Sequence, residues 1–155
     1  MKTLVKAENY FVGIMIILAT LLLFANIILR YFFNANTTWA EEFVRYSMIW
    51  ITFIGMAICF KKGIHFSVDI LIKSLPDKGS RLLQIIINII SIIFMLLLIY
   101  YGMEITIFNF HSGQITPSLE IGIFWVYLAI PVGAALSLLH LILNTIEITK
   151  HGHNE

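Results

Sequence analysis

Apolar residues fill most of this chain in long stretches that short polar segments separate. Three of these stretches, residues 10–29, 82–103 and 121–146, contain no charged residue. An α-helix rises about 1.5 Å per residue, so each stretch covers about 30 Å or more, the thickness of the hydrocarbon core of a bilayer. The pattern predicts three membrane-spanning helices, at about 10–31, 82–103 and 121–146.

A fourth span is predicted over residues 39–60, but its uncharged part is short. Residues 46–60 would cover only about 22 Å as a helix. The helix therefore crosses the membrane only if it carries Glu41, Glu42 and Arg45 into the outer edge of the bilayer.

Composition indicates an integral membrane protein. The chain is 59% hydrophobic and 12% charged, whereas soluble domains are roughly 45–50% apolar and about 25% charged. Its 155 residues allow a single membrane domain, 1–155, and no soluble enzyme beside the helices. The net charge of +1 gives no indication of nucleic-acid binding. The expected fold class is all-α, with four transmembrane helices.

Basic residues are distributed unevenly between the two sides that alternating spans would create. Eight lie on the side of the termini and of the connection between the second and third spans. The remaining two, Arg30 and Arg45, lie on the other side. Because the more basic side of a membrane protein faces the cytoplasm, both termini are predicted to be cytoplasmic.

Charged residues near the start of the second span form a compact group. Thr38 and Glu41 have the T-x-x-E spacing of a capping box, and Glu41 and Glu42 precede Arg45 at helical spacing. A capped helix with an internal ion pair would explain Glu41 and Arg45, but neither the second acid nor Arg30 nearby. Since unpaired charges are costly at this depth, we expect the cluster to contact another chain. An intrachain cluster with Arg30 is the alternative.

The connection between the second and third spans has apolar residues at helical spacing over about 64–75. Such a helix is expected to lie in the plane of the cytoplasmic headgroups, with its apolar stripe toward the membrane. His65 and Asp69, four residues apart, are predicted to hydrogen-bond and to hold this connection together. A metal site would need at least a third ligand, and the sequence offers none on this side.

Polar and small residues in the last two spans are predicted to join helices. Gln84, Asn88 and Ser91 follow one another at helical spacing, and such a stripe turns toward protein rather than lipid. In the fourth span, Pro131 removes a backbone donor and predicts a kink. Gly133, close by, allows another helix to approach.

Taken in order, six short motifs resemble the small membrane subunit of tripartite ATP-independent periplasmic (TRAP) transporters. They are Arg30-Tyr31-Phe32, Trp39-Ala40-Glu41-Glu42-x-x-Arg45, Trp50-x-x-Phe53-x-Gly55, Lys62-x-x-His65-x-x-x-Asp69, Pro117-Ser118-Leu119 and Tyr127-x-x-Ile130-Pro131-x-Gly133. The resemblance covers roughly residues 10–135 and agrees with the length of the chain and with four spans.

The resemblance implies the Q-type subunit of a secondary, sodium-coupled uptake system for an organic acid, such as a C4-dicarboxylate or sialic acid. It places the chain in the bacterial inner membrane and implies two partners. One is a large multispan membrane subunit, bound tightly, and the other is a periplasmic substrate-binding protein, bound transiently. The substrate and sodium sites would lie on the large subunit, so no cofactor or metal is expected on this chain, which would act as a scaffold. We assign to the partner interface Arg30, Trp39, Glu41, Glu42, Arg45 and Trp50.

Two other functions fit the residues less well. Small four-helix exporters work as homo-oligomers around a glutamate in their first helix, but span 10–31 contains no acid and the charge bias favours one orientation. The candidate groups of a membrane enzyme are divided between the two sides and the bilayer: His65, Asp69, His111 and His140. We therefore expect no enzymatic activity, and we expect His140 to be a hydrogen-bonding partner.

Overall fold

A computed structural model of the protein describes residues 2–34, 37–61 and 77–151. Within these residues lie five helices: α1 (Lys2–Phe33), α2 (Thr38–Lys61), α3 (Asp77–Ser112), α4 (Phe124–Tyr127) and α5 (Ala129–His151). Four segments are long and apolar enough to cross a membrane, with α4 and α5 counted as one. The predicted all-helical membrane fold is confirmed.

The four spans stand side by side in a row, in the order α1, α2, α5, α3. Helix α2 packs against α1 and α5, and α5 also packs against α3, whereas the described parts of α1 and α3 do not meet. Only 11% of the most apolar window of α1 and 6% of that of α3 is buried, against 44% for the α4–α5 segment. An end helix of a row has one neighbour, so lipid or a partner must cover most of α1 and α3.

Glycines let the middle and last helices of the row approach closely. A Cβ atom added at Gly133 of α5 would lie 2.5 Å from the Cβ of Phe53 and 2.7 Å from its carbonyl oxygen. A Cβ at Gly102 of α3 would lie 2.8 Å from a methyl of Ile130 and 3.1 Å from Pro131. Since real Cβ atoms do not approach so closely, both contacts require glycine.

The helix of the last membrane crossing has a one-residue break near its proline. Helix α4 ends at Tyr127 and α5 begins at Ala129. Pro131 has no amide hydrogen to donate to the Tyr127 carbonyl, whereas the next amide, that of Val132, donates to the Leu128 carbonyl at 3.2 Å. Leu128 keeps helical backbone angles, φ −58° and ψ −25°, so α4 and α5 continue as one crossing.

The third helix is longer than its apolar stretch indicates. It continues past Met103 to Ser112, so Glu104 and His111 lie on α3 and are exposed there. The connection to α4 is correspondingly short, residues 113–123. The interfacial helix predicted over 64–75, with His65 and Asp69, lies outside the described residues.

Candidate functional site

The row has two ends with different contents. At the end that we call the hairpin end, a short turn joins α1 to α2 and residues 113–123 join α3 to α4. At the opposite end, the terminal end, lie the first residues of α1 and the last of α5. Buried Glu42 and Asn26 belong to the hairpin end, and buried Glu8 and His140 belong to the terminal end.

Glu42 binds the chain's own loop at the hairpin end. Its Oε2 accepts hydrogen bonds from the backbone N–H groups of Ser118, at 2.9 Å, and Leu119, at 2.8 Å. Its Oε1 accepts a hydrogen bond from the Tyr46 hydroxyl at 2.7 Å. The side chain is only 6% exposed, and hydrogen bonds to a carboxylate are among the stronger ones in proteins. Glu42 therefore fastens the loop of residues 113–123 to α2.

Thr116 folds the loop so that it can present these amides. It is fully buried. Its N–H donates to the Ile121 carbonyl at 2.8 Å, its carbonyl accepts from the Glu120 N–H at 3.2 Å, and its hydroxyl accepts from the Ile121 N–H at 3.2 Å. Glu120 takes a left-handed conformation, φ 53°, and Gly113 opens the loop in another, φ 65°. The loop is thus a closed unit with its own hydrogen bonds.

Asn26 joins α1 to the beginning of α2. Its Oδ1 accepts from the Thr37 N–H at 3.2 Å and from the Thr37 hydroxyl at 2.8 Å. Its Nδ2 donates to the Glu41 Oε1 at 3.3 Å. The predicted capping box does not form among the described residues, because α2 already begins at Thr38 and Asn26 holds Glu41. The turn is closed by a side chain from the preceding helix.

The two arginines of the predicted cluster form no hydrogen bond or ion pair with these carboxylates among the described residues. Arg30 and Arg45 are both exposed. The ion pairs expected between Arg45 and the two glutamates do not form. Among the described residues, the one close contact between an acidic and a basic side chain joins Glu8 to His140, at the other end of the row. Arg30 likewise takes no part in an intrachain cluster there. The carboxylates of Glu41 and Glu42 are held by dipoles, and the cations are left at the surface.

The two tryptophans of the predicted interface lie at different exposures. Trp39, in the first turn of α2, is 45% exposed. Trp50 is half-buried, and its ring meets the edge of Phe11 on α1 with 6.2 Å between centroids. Trp39 and the two arginines are therefore free for contacts outside the chain, whereas Trp50 also packs within it.

A buried pair of ionisable side chains joins α1 to α5 at the terminal end. His140 Nε2 lies 3.1 Å from Oε1 and 3.0 Å from Oε2 of Glu8. Both side chains are almost fully buried, and His140 Nδ1 has no hydrogen-bond partner among the described residues. The expectation of a first helix without an acid is wrong, because α1 begins at Lys2 and includes Glu8. Because Glu8 is bound to His140, this acid is not free to serve as the transport site of a homo-oligomeric exporter.

Amides join the remaining helices. Asn144 of α5 donates to the carbonyl of Phe60 at 2.7 Å, in the last turn of α2. Asn88 of α3 donates to the Thr145 hydroxyl of α5 at 3.2 Å, whereas Gln84 and Ser91 lie half-buried on the same helix. The described residues hold no group of three or more side chains suited to a metal ion.

Sequence reasoning missed Asn26, Glu8 and Asn144, although each gave a signal. Asn26 and Asn144 are single amides inside apolar runs, where a polar group needs a partner. A span that starts at Tyr10 leaves out Glu8, so this choice hides an acid that lies inside the helix. The backbone donors at Ser118 and Leu119 give no side-chain signal beyond the preceding proline.

Comparison with known proteins gives one consistent result. The family model of "Tripartite ATP-independent periplasmic transporters, DctQ component" matches residues 19–151. A protein of Haemophilus influenzae described as a TRAP transporter small permease is 29% identical over 86% of this chain and 79% of its own length. The C4-dicarboxylate TRAP transporter small permease DctQ of Vibrio cholerae is 34% identical over 58% of this chain and 37% of its own length. The sialic acid TRAP transporter permease SiaT of Haemophilus influenzae is 26% identical over 92% of this chain but 23% of its own length.

Proposed function

The chain belongs to the DctQ family, the small permease subunits of TRAP transporters, and we propose that it is a static scaffold for the large transport subunit of a sodium-coupled organic-acid importer. Membership of the family makes it a transporter component and not an enzyme. The proposal concerns what the chain contributes to the transporter.

The observation that supports a scaffold is the use of Glu42. Transport sites for anions need cations or free backbone N–H groups. The N–H groups of Ser118 and Leu119 are not free, because they donate to Glu42 at 2.9 and 2.8 Å. Buried Asn26, Asn144 and the Glu8–His140 pair likewise join one helix to another. Polar groups committed to internal contacts stiffen the row.

The large subunit is the partner that we propose for the row. Most of the apolar surface of α1 and α3 is exposed in this chain alone. In the sialic acid relative, the segment similar to this chain makes up 23% of a longer permease protein. A large multispan subunit on one broad face of the row, with lipid on the other, would cover both helices.

The relatives suggest the substrate class. One is named for C4-dicarboxylates and another for sialic acid, so we propose a carboxylate substrate. Sodium and substrate would bind on the large subunit. The excess of eight basic residues over two supports cytoplasmic termini and a hairpin end on the periplasmic side. There, exposed Arg30, Trp39 and Arg45 would contact the large subunit or the binding protein.

The test is purification and reconstitution of the transporter. The small chain should co-purify with the large subunit of the same transporter. Proteoliposomes should take up a carboxylate only when both subunits, the binding protein and an inward sodium gradient are present. Liposomes with the small chain alone should show no uptake above empty liposomes. Substrate uptake by the small chain alone would contradict the scaffold role.

A further inference from the structure

Glu104 stands on the outer edge of the row, the side of α3 that faces away from α5. It lies about 200° around the helix from Gly102, which faces Ile130 of α5. Glu104 is exposed, and among the described residues it forms no hydrogen bond or ion pair. Tyr100 and Phe108, each one turn away on the same side, are 67% and 68% exposed. The exposed apolar surface of α3 therefore continues on both sides of this acid.

Hydrogen bonds between the helices show how deep Glu104 lies. Asn88 of α3 and the carbonyl of Phe60 on α2 are bound by two consecutive residues of α5, so these two positions are level. Glu104 is 16 residues from Asn88, and Arg45 is 15 residues from Phe60. Each separation corresponds to about 22–24 Å of helix. With Phe60 near one edge of a hydrocarbon core of about 30 Å, Glu104 lies just inside the other edge, level with Arg45.

This chain offers Glu104 no cation. Residues 82–149 contain no lysine or arginine, and Arg30 and Arg45 lie on α1 and α2, which α5 separates from α3. His111 is seven residues further along the same side, about 10 Å away along the helix axis. Charged groups at the membrane are costly unless they are paired. A long arginine side chain can extend to the headgroups, but a glutamate is short and needs its partner at its own depth.

We infer that a transmembrane helix of the large subunit packs along the outer edge of α3 and presents a lysine or arginine to Glu104. A water-soluble binding protein cannot reach a site inside the hydrocarbon. A second copy of this chain, bound symmetrically through the same edge, would set Glu104 against Glu104, because a two-fold contact brings the same residues together. The large subunit would thus reach from a broad face of the row round to this edge. The inference rests on the proposed function, because it takes the large subunit as the partner.

Removal of the charge distinguishes a protein partner from lipid, because the two cases predict opposite results. Glu104→Leu should lower the amount of large subunit that co-purifies by about tenfold or more, since it leaves the cation of the partner unpaired. If lipid covered this edge, the same change would replace a costly acid with an apolar side chain, and co-purification would be maintained or would rise. The isolated Glu104→Leu chain should unfold at the same denaturant concentration as the unmodified chain, because Glu104 has no partner among the described residues.

A matched pair of conservative variants isolates the effect of position. Glu104→Gln should lower co-purification by about threefold, because the amide keeps a hydrogen bond but loses the charge. Glu120→Gln removes a second exposed acid, which lies in the loop at the hairpin end. It should leave co-purification within about twofold of the unmodified chain.

Photo-crosslinking in the intact transporter identifies the partner. A benzophenone amino acid replaces Tyr100, one turn from Glu104 on the outer edge of α3. Irradiation in the membrane should give an adduct with the large subunit, at a transmembrane helix that contains a lysine or arginine. Replacement of that cation with leucine should restore co-purification of the Glu104→Leu chain, since neither partner of the pair is then left unpaired.

Four outcomes would overturn the inference. They are unchanged or increased co-purification with Glu104→Leu, a less stable isolated Glu104→Leu chain, an adduct from position 100 only with lipid or with a second copy of this chain, and no restoration by the second substitution. Failure of the proposed function has a different signature, because then the unmodified chain would not co-purify with the large subunit at all.

Discussion

At the hairpin end a buried carboxylate is held by backbone amides, whereas at the terminal end a buried carboxylate is held by another side chain. Glu42 accepts from the N–H groups of Ser118 and Leu119, and Glu8 faces the imidazole of His140. A backbone donor stays in place whatever the side chains become, but a side-chain partner can be removed together with the acid. The two ends should therefore respond differently to substitution.

The largest effect is expected for Glu42→Ala. This change leaves two backbone N–H groups and the Tyr46 hydroxyl without their acceptor, so we expect a loss of about 3 kcal/mol in the free energy of unfolding. Denaturant unfolding of the isolated chain in mixed micelles measures it. Glu41→Ala is the matched control: its carboxylate accepts one long hydrogen bond, at 3.3 Å, and its loss should cost below about 1 kcal/mol. Equal losses for the two variants would show that Glu42 does not fasten the loop.

The next effect is expected at the terminal end, and it should be reversible by a second substitution. Glu8→Leu and His140→Leu should each cost about 2.5 kcal/mol, because each leaves one buried polar partner unpaired. The double variant should be more stable than either single variant, since no polar group is then stranded. A double-mutant cycle in the same micelles measures the coupling.

That rescue should have no counterpart at the hairpin end. Glu42→Leu combined with Tyr46→Leu still leaves the amides of Ser118 and Leu119 unpaired, so its cost should remain at least that of Glu42→Leu alone. Additive costs for Glu8 and His140, or a rescue at Glu42, would remove the distinction between the ends.

A smaller effect is expected for Asn26→Ala. Asn26 makes three hydrogen bonds at the α1–α2 turn, so we expect a loss of about 2 kcal/mol. Asn88→Ala is the control, because this amide makes one bond, of 3.2 Å, between α3 and α5, and such bonds in membranes contribute about 0.6 kcal/mol. The same unfolding assay compares them. A larger loss at Asn88 than at Asn26 would contradict the closing role of Asn26.

The smallest effect on stability is expected for Arg45→Ala. The arginine is exposed and makes no hydrogen bond or ion pair with described residues, so unfolding should change by no more than about 0.5 kcal/mol. Co-purification of the large subunit should nevertheless fall, because the proposed contacts of this cation lie outside the chain. Met48→Ala, exposed on the same helix, is the control. Unchanged co-purification with Arg45→Ala, or a loss of stability in the isolated chain, would assign Arg45 no role in docking.

The membrane fold could be predicted from the sequence because its signals are local. Uncharged runs such as 82–103 have the length that the bilayer demands, and the proline and glycine of the last span act on their immediate neighbours. The ordered motifs were also sufficient to indicate the family that the comparisons show.

The contacts of the candidate site could not be predicted, because they join distant parts of the chain. Glu42 and Ser118 are 76 residues apart, and Glu8 and His140 are 132 apart. Spacing along one helix favours the Glu41–Arg45 pair, yet both glutamates form hydrogen bonds with groups outside their own helix. A backbone N–H is present at almost every residue, so a sequence cannot single out the two that face Glu42.

The one-row arrangement also has a consequence for how this sequence can change over time. Hydrocarbon tails adapt to any apolar shape, so the exposed isoleucines, leucines and phenylalanines of α1 and α3 can be exchanged for one another at little cost wherever lipid covers them. Gly133 has no such freedom, because Phe53 occupies the space that the methyl group of an alanine at position 133 would need. Relatives should therefore drift fastest in the two end helices and slowest along the line where α2 meets α5.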